Sequence, residues 1–285
     1  MLERQCRSLD VEARQAQRYY NQAMQISNIA AYKFIGIHDT DLFKDALKQK
    51  CDYLGLKGTV IVSQEGINLF LAGTPDHIAE FLRFLRGDPI FEGRFGDIEV
   101  KESFSDRQPF GKMVVRTARE IITMRHPMIR PEATRAPSVD AATLKTWLDR
   151  GHDDEGRPVL MLDTRNAFEV EIGTFNGARD FKIQKFTEFP QAIASCKAQG
   201  ELEGKTIVSF CTGGIRCEKA ALYMQEIDVD HVYQLDGGIL KYFETVGGEH
   251  YTGECFVFDE RVALDADLKA TTTQYPDRPL HQGKT

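Results

Sequence analysis

The sequence predicts an α/β protein of two successive domains, a small antiparallel βαββαβ sandwich followed by a parallel-sheet domain of alternating strands and helices. Three observations carry this. Apolar segments within the first hundred or so residues fall in the order strand, helix, strand, strand, helix, strand. Pro109, Pro127, Pro131 and Pro137 punctuate one stretch and mark a boundary. Beyond them, short continuous apolar runs alternate with helical patterns, as strands buried on both faces do. The 285 residues suffice for two domains of roughly 100–200 residues each.

Residues 3–25 are polar and contain neither Gly nor Pro, which predicts a short amino-terminal helix. Residues 29–37 (IAAYKFIGI) read as a strand. Residues 39–56 read as a helix with Leu42, Phe43, Ala46 and Leu47 on one face. Residues 59–63 and 67–72 read as strands joined at Gln64-Glu65-Gly66, where Gly66 can take a positive φ. Thr74-Pro75-Asp76 starts a helix, a capping hydroxyl before a first-turn proline. Ile78, Phe81, Leu82 and Leu85 give that helix its apolar face. A further strand is expected at 98–104, and the resulting order predicts a ferredoxin-like domain.

In the second half, Ser138 is expected to cap a helix carrying Leu144, Trp147 and Leu148. Strands are expected at 159–162, 206–210 and 231–235, and helices at 189–198 and 217–225. Met113 to Thr123, within the connector, can form an extended strand packing against either domain. The chain therefore divides into an amino-terminal helical extension (1–28), the ferredoxin-like domain (29–108), a basic proline-containing connector (109–137), the parallel-sheet domain (138–250) and a carboxyl-terminal extension (251–285). The polar end of that extension, from 271, is expected to be disordered.

A net charge of −7 argues against nonspecific nucleic-acid binding by the whole surface. Residues 101–135, however, carry eight basic side chains against four acidic ones, a local excess that suits either a solvated linker or a strip contacting phosphates. No apolar run approaches the roughly 20 residues of a membrane span, and the charged start MLERQCRSLD lacks a secretory pattern, so a cytoplasmic location is expected. The six cysteines include no C-x-x-C pair and suit free thiols. The seven histidines show no ligand spacing, so no metal site is expected. Nor does a GxGxxG follow any expected strand, and no cofactor is identifiable.

Candidate chemistry concentrates in Cys211, Thr212, Gly213, Gly214, Ile215, Arg216 and Cys217, between a buried strand and a helix. Active sites of parallel sheets lie beyond the carboxyl ends of strands. Two glycines let the backbone curl and turn amides inward, and the helix start adds a positive dipole. A cysteine at the centre of such a cradle is held as thiolate, the nucleophilic form. The bland alternative is a buried cysteine that ends a core strand. For Cys211 to act, its thiol must titrate well below the ordinary value of about 8.5 and face a pocket rather than be packed away.

These residues resemble a known superfamily. Asp163-Thr164-Arg165 with Glu169, then Gly177-Ala178, resembles the D-x-R…E…G-A signature of rhodanese domains. CTGGIR resembles their active-site loop, and Leu235-Asp236-Gly237-Gly238-Ile239 their closing segment. Gly173-Thr174-Phe175-Asn176-Gly177-Ala178 replaces the usual G-H-x-P-G-A and lacks its histidine. Rhodanese-type phosphatases need Cys-x5-Arg; here Arg216 falls one position earlier and Cys217 takes the arginine's place, a smaller loop suited to a persulfide.

The whole chain is similar to the tRNA uridine hydroxylase family. That resemblance rests on Glu65-Gly66-Ile67-Asn68, Pro109-Phe110-Gly111-Lys112-Met113, Arg119-Glu120-Ile121, Cys211 through Lys219, and the run FVFDERV at 256–262. It implies oxygen-dependent conversion of uridine 34 of tRNA to 5-hydroxyuridine, with molecular oxygen as co-substrate and the anticodon region as partner. Cys211 becomes the essential thiolate, with Gly213, Gly214 and Arg216 shaping and charging its cradle. Cys217 either resolves an oxidised Cys211 or faces the core. Asp163 and Arg165 become a buried supporting pair, and Lys112, Arg116 and Arg119 a tRNA-backbone surface with Phe110 as a stacking ring. Two other readings stand beside it, a sulfurtransferase working through a Cys211 persulfide and a noncatalytic interaction protein.

Overall fold

The structure, a computed structural model, describes residues 25–273. The expected amino-terminal helix over 3–25, all but its last residue, and the chain end beyond 273 lie outside the described residues. The chain forms two units. The first ends at Ala118; the second begins at Arg119 and also takes in Phe34–Ile37 and Ser63–Gly66.

The first unit contains β1 (Ile26–Phe34), α1 (Thr40–Tyr53), β2 (Lys57–Ser63), β3 (Gly66–Gly73), α2 (Pro75–Gly87), β4 (Val100–Ser105) and β5 (Met113–Thr117), save that the strand-end residues Phe34, Ser63 and Gly66 fall in the second unit. Its sheet runs β4-β1-β3-β2-β5, and the first four strands in that order give the expected ferredoxin-like topology. β1 starts three residues before the apolar run that announced it. Ser27 and Asn28 hide its beginning: both are buried, and they bond across to β4, Ser27 to Glu102 at 2.5 Å and Asn28 to the Ser103 carbonyl at 3.2 Å. On α1, capped by Asp39, the buried face is Phe43, Leu47 and Cys51, while Leu42 is 47% exposed. The face follows i, i+4, i+8 spacing, which leaves Leu42 a turn-edge away. The proline-rich connector supplies β5, which pairs in parallel with β2 and lies against α1.

The second unit continues with β6 (Ser138–Val139), α3 (Ala141–Arg150), β7 (Val159–Asp163), α4 (Ala167–Val170), β8 (Gly173–Phe175), β9 (Arg179–Asp180), α5 (Phe189–Ala198), β10 (Thr206–Phe210), α6 (Ile215–Glu226), β11 (Val232–Leu235) and α7 (Gly238–Val246). Three short strands follow: β12 (Tyr251–Gly253), β13 (Cys255–Phe256) and β14 (Ala263–Leu264). The main sheet, β6-β11-β10-β7-β9, is parallel throughout.

Alternation along its strands serves two cores, as a two-residue side-chain period requires. Leu162 and Ile207 face a core built with Phe189 and Ile193 of α5 and Ala220, Ala221 and Met224 of α6. Met161, Val208 and Phe210 face the other, with Leu144 and Trp147 of α3 and Ile239, Tyr242 and Phe243 of α7. Both faces are therefore dry, and only the strand ends remain for polar chemistry.

One cap differs from the sequence expectation. Ser138 lies in β6; Asp140 caps α3, its carboxylate accepting from the Thr143 amide at 2.9 Å. Ser138 is drawn into the sheet by pairing opposite Gln234, and the next short polar side chain takes the helix start. Asp140→Ala is expected to lower stability by about 1 kcal/mol in urea unfolding. Exposed Ser138→Ala should stay within about 0.5 kcal/mol of the parent; equal losses would reverse the assignment.

Candidate active site

β10 delivers its last residue, Phe210, into the sheet's carboxyl edge, and Cys211 follows where ladder pairing stops. Gly214, at φ +96°, is the residue from which α6 starts. Its amide donates to the Cys211 sulfur at 3.1 Å. The loop is held from the opposite side by α7. Ile239 donates to the Cys211 carbonyl at 2.9 Å and Leu240 to that of Thr212 at 3.1 Å. This approach requires a glycine at 238: at φ +68°, a Cβ there would stand 2.5 Å from the Cys211 carbonyl oxygen and 2.7 Å from the Gly214 nitrogen.

Behind the loop lie two buried ion pairs. Arg216 presents both terminal nitrogens to Glu169 at 2.6 and 2.7 Å, with Glu169 fully enclosed. Arg165 and Asp163, also fully enclosed, pair at 2.6 Å, and Arg165 donates to the Gly173 carbonyl at 2.6 Å. Thr174, which stands where the signature has histidine, donates its hydroxyl to Asp163 at 2.8 Å. Thr164 donates to the Phe210 carbonyl at 2.9 Å and lies 3.8 Å from the Cys217 sulfur.

The electrostatics separate the two thiols. Complete burial opposes ionisation of Cys211. The Cys217 thiol, the Arg216 charge and the amides of Arg216 and Gly214 outweigh it and bring its pKa down to about 5. Cys217 moves the other way, raised by burial and then by its hydrogen bond and proximity to the Cys211 thiolate. Cys255, whose strand neighbours Thr212, is pushed up to about 12, chiefly by burial. One thiolate thus stands among neutral thiols, an arrangement suited to nucleophilic or sulfur-carrying chemistry. The fork of Arg216 is committed to Glu169 and is not available as the guanidinium clamp a phosphate would use.

Access differs from the sequence expectation: Cys211 has 0% exposure. A substrate atom reaches its sulfur only after the loop or its cover moves. Sequence periodicity could not reveal this, because α7 and the carboxyl-terminal strands, distant in sequence, pack against the loop. Thr212 donates to the Phe256 carbonyl at 3.3 Å.

The remaining candidates lie elsewhere. Phe110, Lys112 and Arg116 belong to the first unit and Arg119 to the second. Lys112, Arg116 and Arg119 are exposed and Phe110 is half-buried. Among the described residues, Asp149, Glu249 and His250 form a grouping of metal-ligand types, but Lys145 bonds Asp149 and Glu249 at 2.8 Å each and supplies the positive charge there.

The rhodanese-like domain family matches residues 140–245, and the UPF0176 acylphosphatase-like domain family matches residues 26–121. Among solved structures, the rhodanese-like domain of an Anabaena protein aligns with TM-score 0.33 at 20% identity, covering 41% of this chain and 80% of that one. An acylphosphatase from Coxiella burnetii aligns with TM-score 0.24 at 17% identity, covering 32% and 93%. Curated relatives match far more of the chain. A tRNA uridine(34) hydroxylase of Paraburkholderia xenovorans is 59% identical over 88% of this chain and 86% of its own length. One of Cupriavidus metallidurans is 61% identical over 86% and 85%. The chain belongs to the tRNA uridine(34) hydroxylase family.

Three sequence segments that marked this hydroxylase family converge in the second unit on one buried cation. Lys219, 2% exposed on α6, bonds Glu120 at 2.6 Å, Glu65 at 2.9 Å and the Ile122 carbonyl at 3.0 Å. Glu65 in turn accepts from the Ile121 amide at 2.7 Å. Sequence reasoning assigned no role to this cluster, nor to Glu169. For Glu169 a signal existed: Asn166 and Glu169 form a capping box at α4, with Glu169 accepting from the Asn166 amide at 3.0 Å.

Thiolate absorbance lost in Cys211→Ser is expected to titrate in the parent with a midpoint near pH 5, the folded pKa. The thiolate is present above that pH and lost as pH falls through it. A midpoint near about 8.5 would refute the cradle. Glu169→Gln, which leaves the buried Arg216 charge without its partner, should cost about 3–5 kcal/mol in denaturant unfolding.

Proposed function

We propose that this protein hydroxylates uridine 34 of tRNA, in the anticodon, to 5-hydroxyuridine in an oxygen-dependent reaction whose reactive group is the Cys211 thiolate. The observation that carries the reading is the match over 88% of this chain, and 86% of the relative, to a protein named for that activity. The site geometry supports it chemically. A sulfur with a pKa near 5 is ionised throughout the neutral range and needs no separate base to activate it.

Each neighbour has a role in this reading. The Cys217 thiol, the Arg216 charge and the Arg216 and Gly214 amides keep the sulfur ionised. Glu169 holds Arg216 in register, and Asp163 with Arg165 braces the end of β7 beside the loop. Lys112, Arg116 and Arg119, exposed within the basic stretch, supply phosphate contacts. Because the sulfur is enclosed, entry of the base accompanies a movement of the loop, and closure afterwards excludes water.

A second reading, transfer of sulfur through a Cys211 persulfide, is favoured by the rhodanese-like match over residues 140–245. A thiosulfate–cyanide assay on the purified protein separates the two.

Mass spectrometry of tRNA nucleosides tests the proposal directly. Deleting the gene should remove 5-hydroxyuridine and its derivatives; the wild-type gene should restore them and Cys211→Ser should not. Unchanged nucleosides on deletion would defeat the reading, and full rescue by Cys211→Ser would remove Cys211 from the chemistry.

A further inference from the structure

The run FVFDERV at 256–262 takes no part in charging the Cys211 sulfur, yet its fold holds one aromatic ring in the open. β13 and β14 pair antiparallel, and the Val257 amide donates to the Val262 carbonyl at 2.8 Å to close the turn between them. Inside the turn, Asp259 accepts from the Arg261 amide at 3.0 Å and from its Nε at 2.8 Å. Both side chains are about nine-tenths enclosed. Val262 sits at φ +67°, a conformation that a β-branched residue adopts only where its surroundings dictate it. The turn is therefore braced by its own hydrogen bonds.

Phe258 rides on that turn and is 46% exposed, whereas Phe256, two residues earlier, is 3% exposed. The two rings meet edge to face, 5.0 Å apart at 84°. Phe256 also meets Phe168 edge to face, 5.2 Å apart at 86°. Phe168 precedes Glu169, the carboxylate that grips Arg216, and the Phe256 carbonyl accepts from the hydroxyl of Thr212, the residue after Cys211. The open ring is thus tied to the reactive loop by two routes. A scattered exposed aromatic needs no explanation; one fixed on a braced turn and anchored to a thiolate loop has a defined use.

We propose that Phe258 is a base-stacking platform that receives the unstacked target pyrimidine beside the Cys211 loop. The proposal rests on the reading of this protein as a tRNA uridine hydroxylase. Chemistry on a base requires taking it out of its stack, and an aromatic face compensates the lost stacking without reading base identity. Phenylalanine offers no hydrogen bond, so Phe258 recognises the presence of a planar base, and selectivity for uracil is left to other groups.

The test uses the full-length protein and two anticodon stem-loop RNAs, one with uridine at position 34 and one abasic there, at a single salt concentration so that phosphate contacts cancel. Phe258→Ala is expected to weaken binding of the uridine RNA by roughly 5- to 150-fold and to leave the abasic RNA unchanged. Phe258→Trp should restore binding. On whole tRNA, the alanine variant should raise KM more than it lowers kcat, with the Cys211 titration midpoint unmoved. Equal losses on both RNAs, no loss on either, or a shifted midpoint would overturn the platform. A wild-type protein that fails to hydroxylate tRNA would instead overturn the reading on which it rests, a result distinct from an active wild type that Phe258→Ala leaves untouched.

Discussion

A negative charge on a sulfur with no solvent contact is the constraint around which the second unit is organised. Burying a charge is costly unless partners replace water, and burial is the largest effect opposing ionisation of Cys211. The replacement comes from the Cys217 thiol, from a guanidinium that must itself be buried and from amides that a tight turn aims inward. Arg216 in turn needs a carboxylate, and Glu169 is fixed on a one-turn helix by its capping box. Each requirement generates the next. The parallel sheet supplies the frame: strands dry on both faces end together, and the polar groups they bring collect at that edge.

Much of this was legible in the sequence because its causes are local. β10 and α5 occupy the segments marked by their apolar patterns, since a five-residue buried strand and a proline-started amphipathic helix are specified by their own residues. The same holds for the glycine-rich loop between β10 and α6. What escaped depends on partners distant in sequence. The start of β1 is polar and becomes strand only because Ser27 and Asn28 bond to β4. Glu169 and Arg216 lie 47 positions apart. The close approach of α7 to the Cys211 backbone depends on Gly238, and no single-segment pattern encodes it.

The connector shows how composition misleads when it is read alone. Its prolines and charges have the look of a solvated linker, yet Met113–Thr117 completes the first sheet, and Met124, Ile129 and Ala136 enter a core of the second unit. Its positive excess is also smaller than a residue count implies. Arg135 is engaged by Glu218 and Asp236, both outside the stretch. Lys112, Arg116 and Arg119, proposed above to meet phosphates, are exposed.

The complete enclosure of Cys211 has a consequence for how its reactivity is read in practice. A bulky alkylating reagent cannot touch the sulfur until the structure opens, so its labelling rate reports the frequency of opening, as amide exchange does for a protected backbone. Surveys that rank cysteines by speed of modification would place this ionised thiol among the inert ones. Its low proton affinity and its slow labelling are compatible, because one is a property of the shut state and the other of the excursion from it.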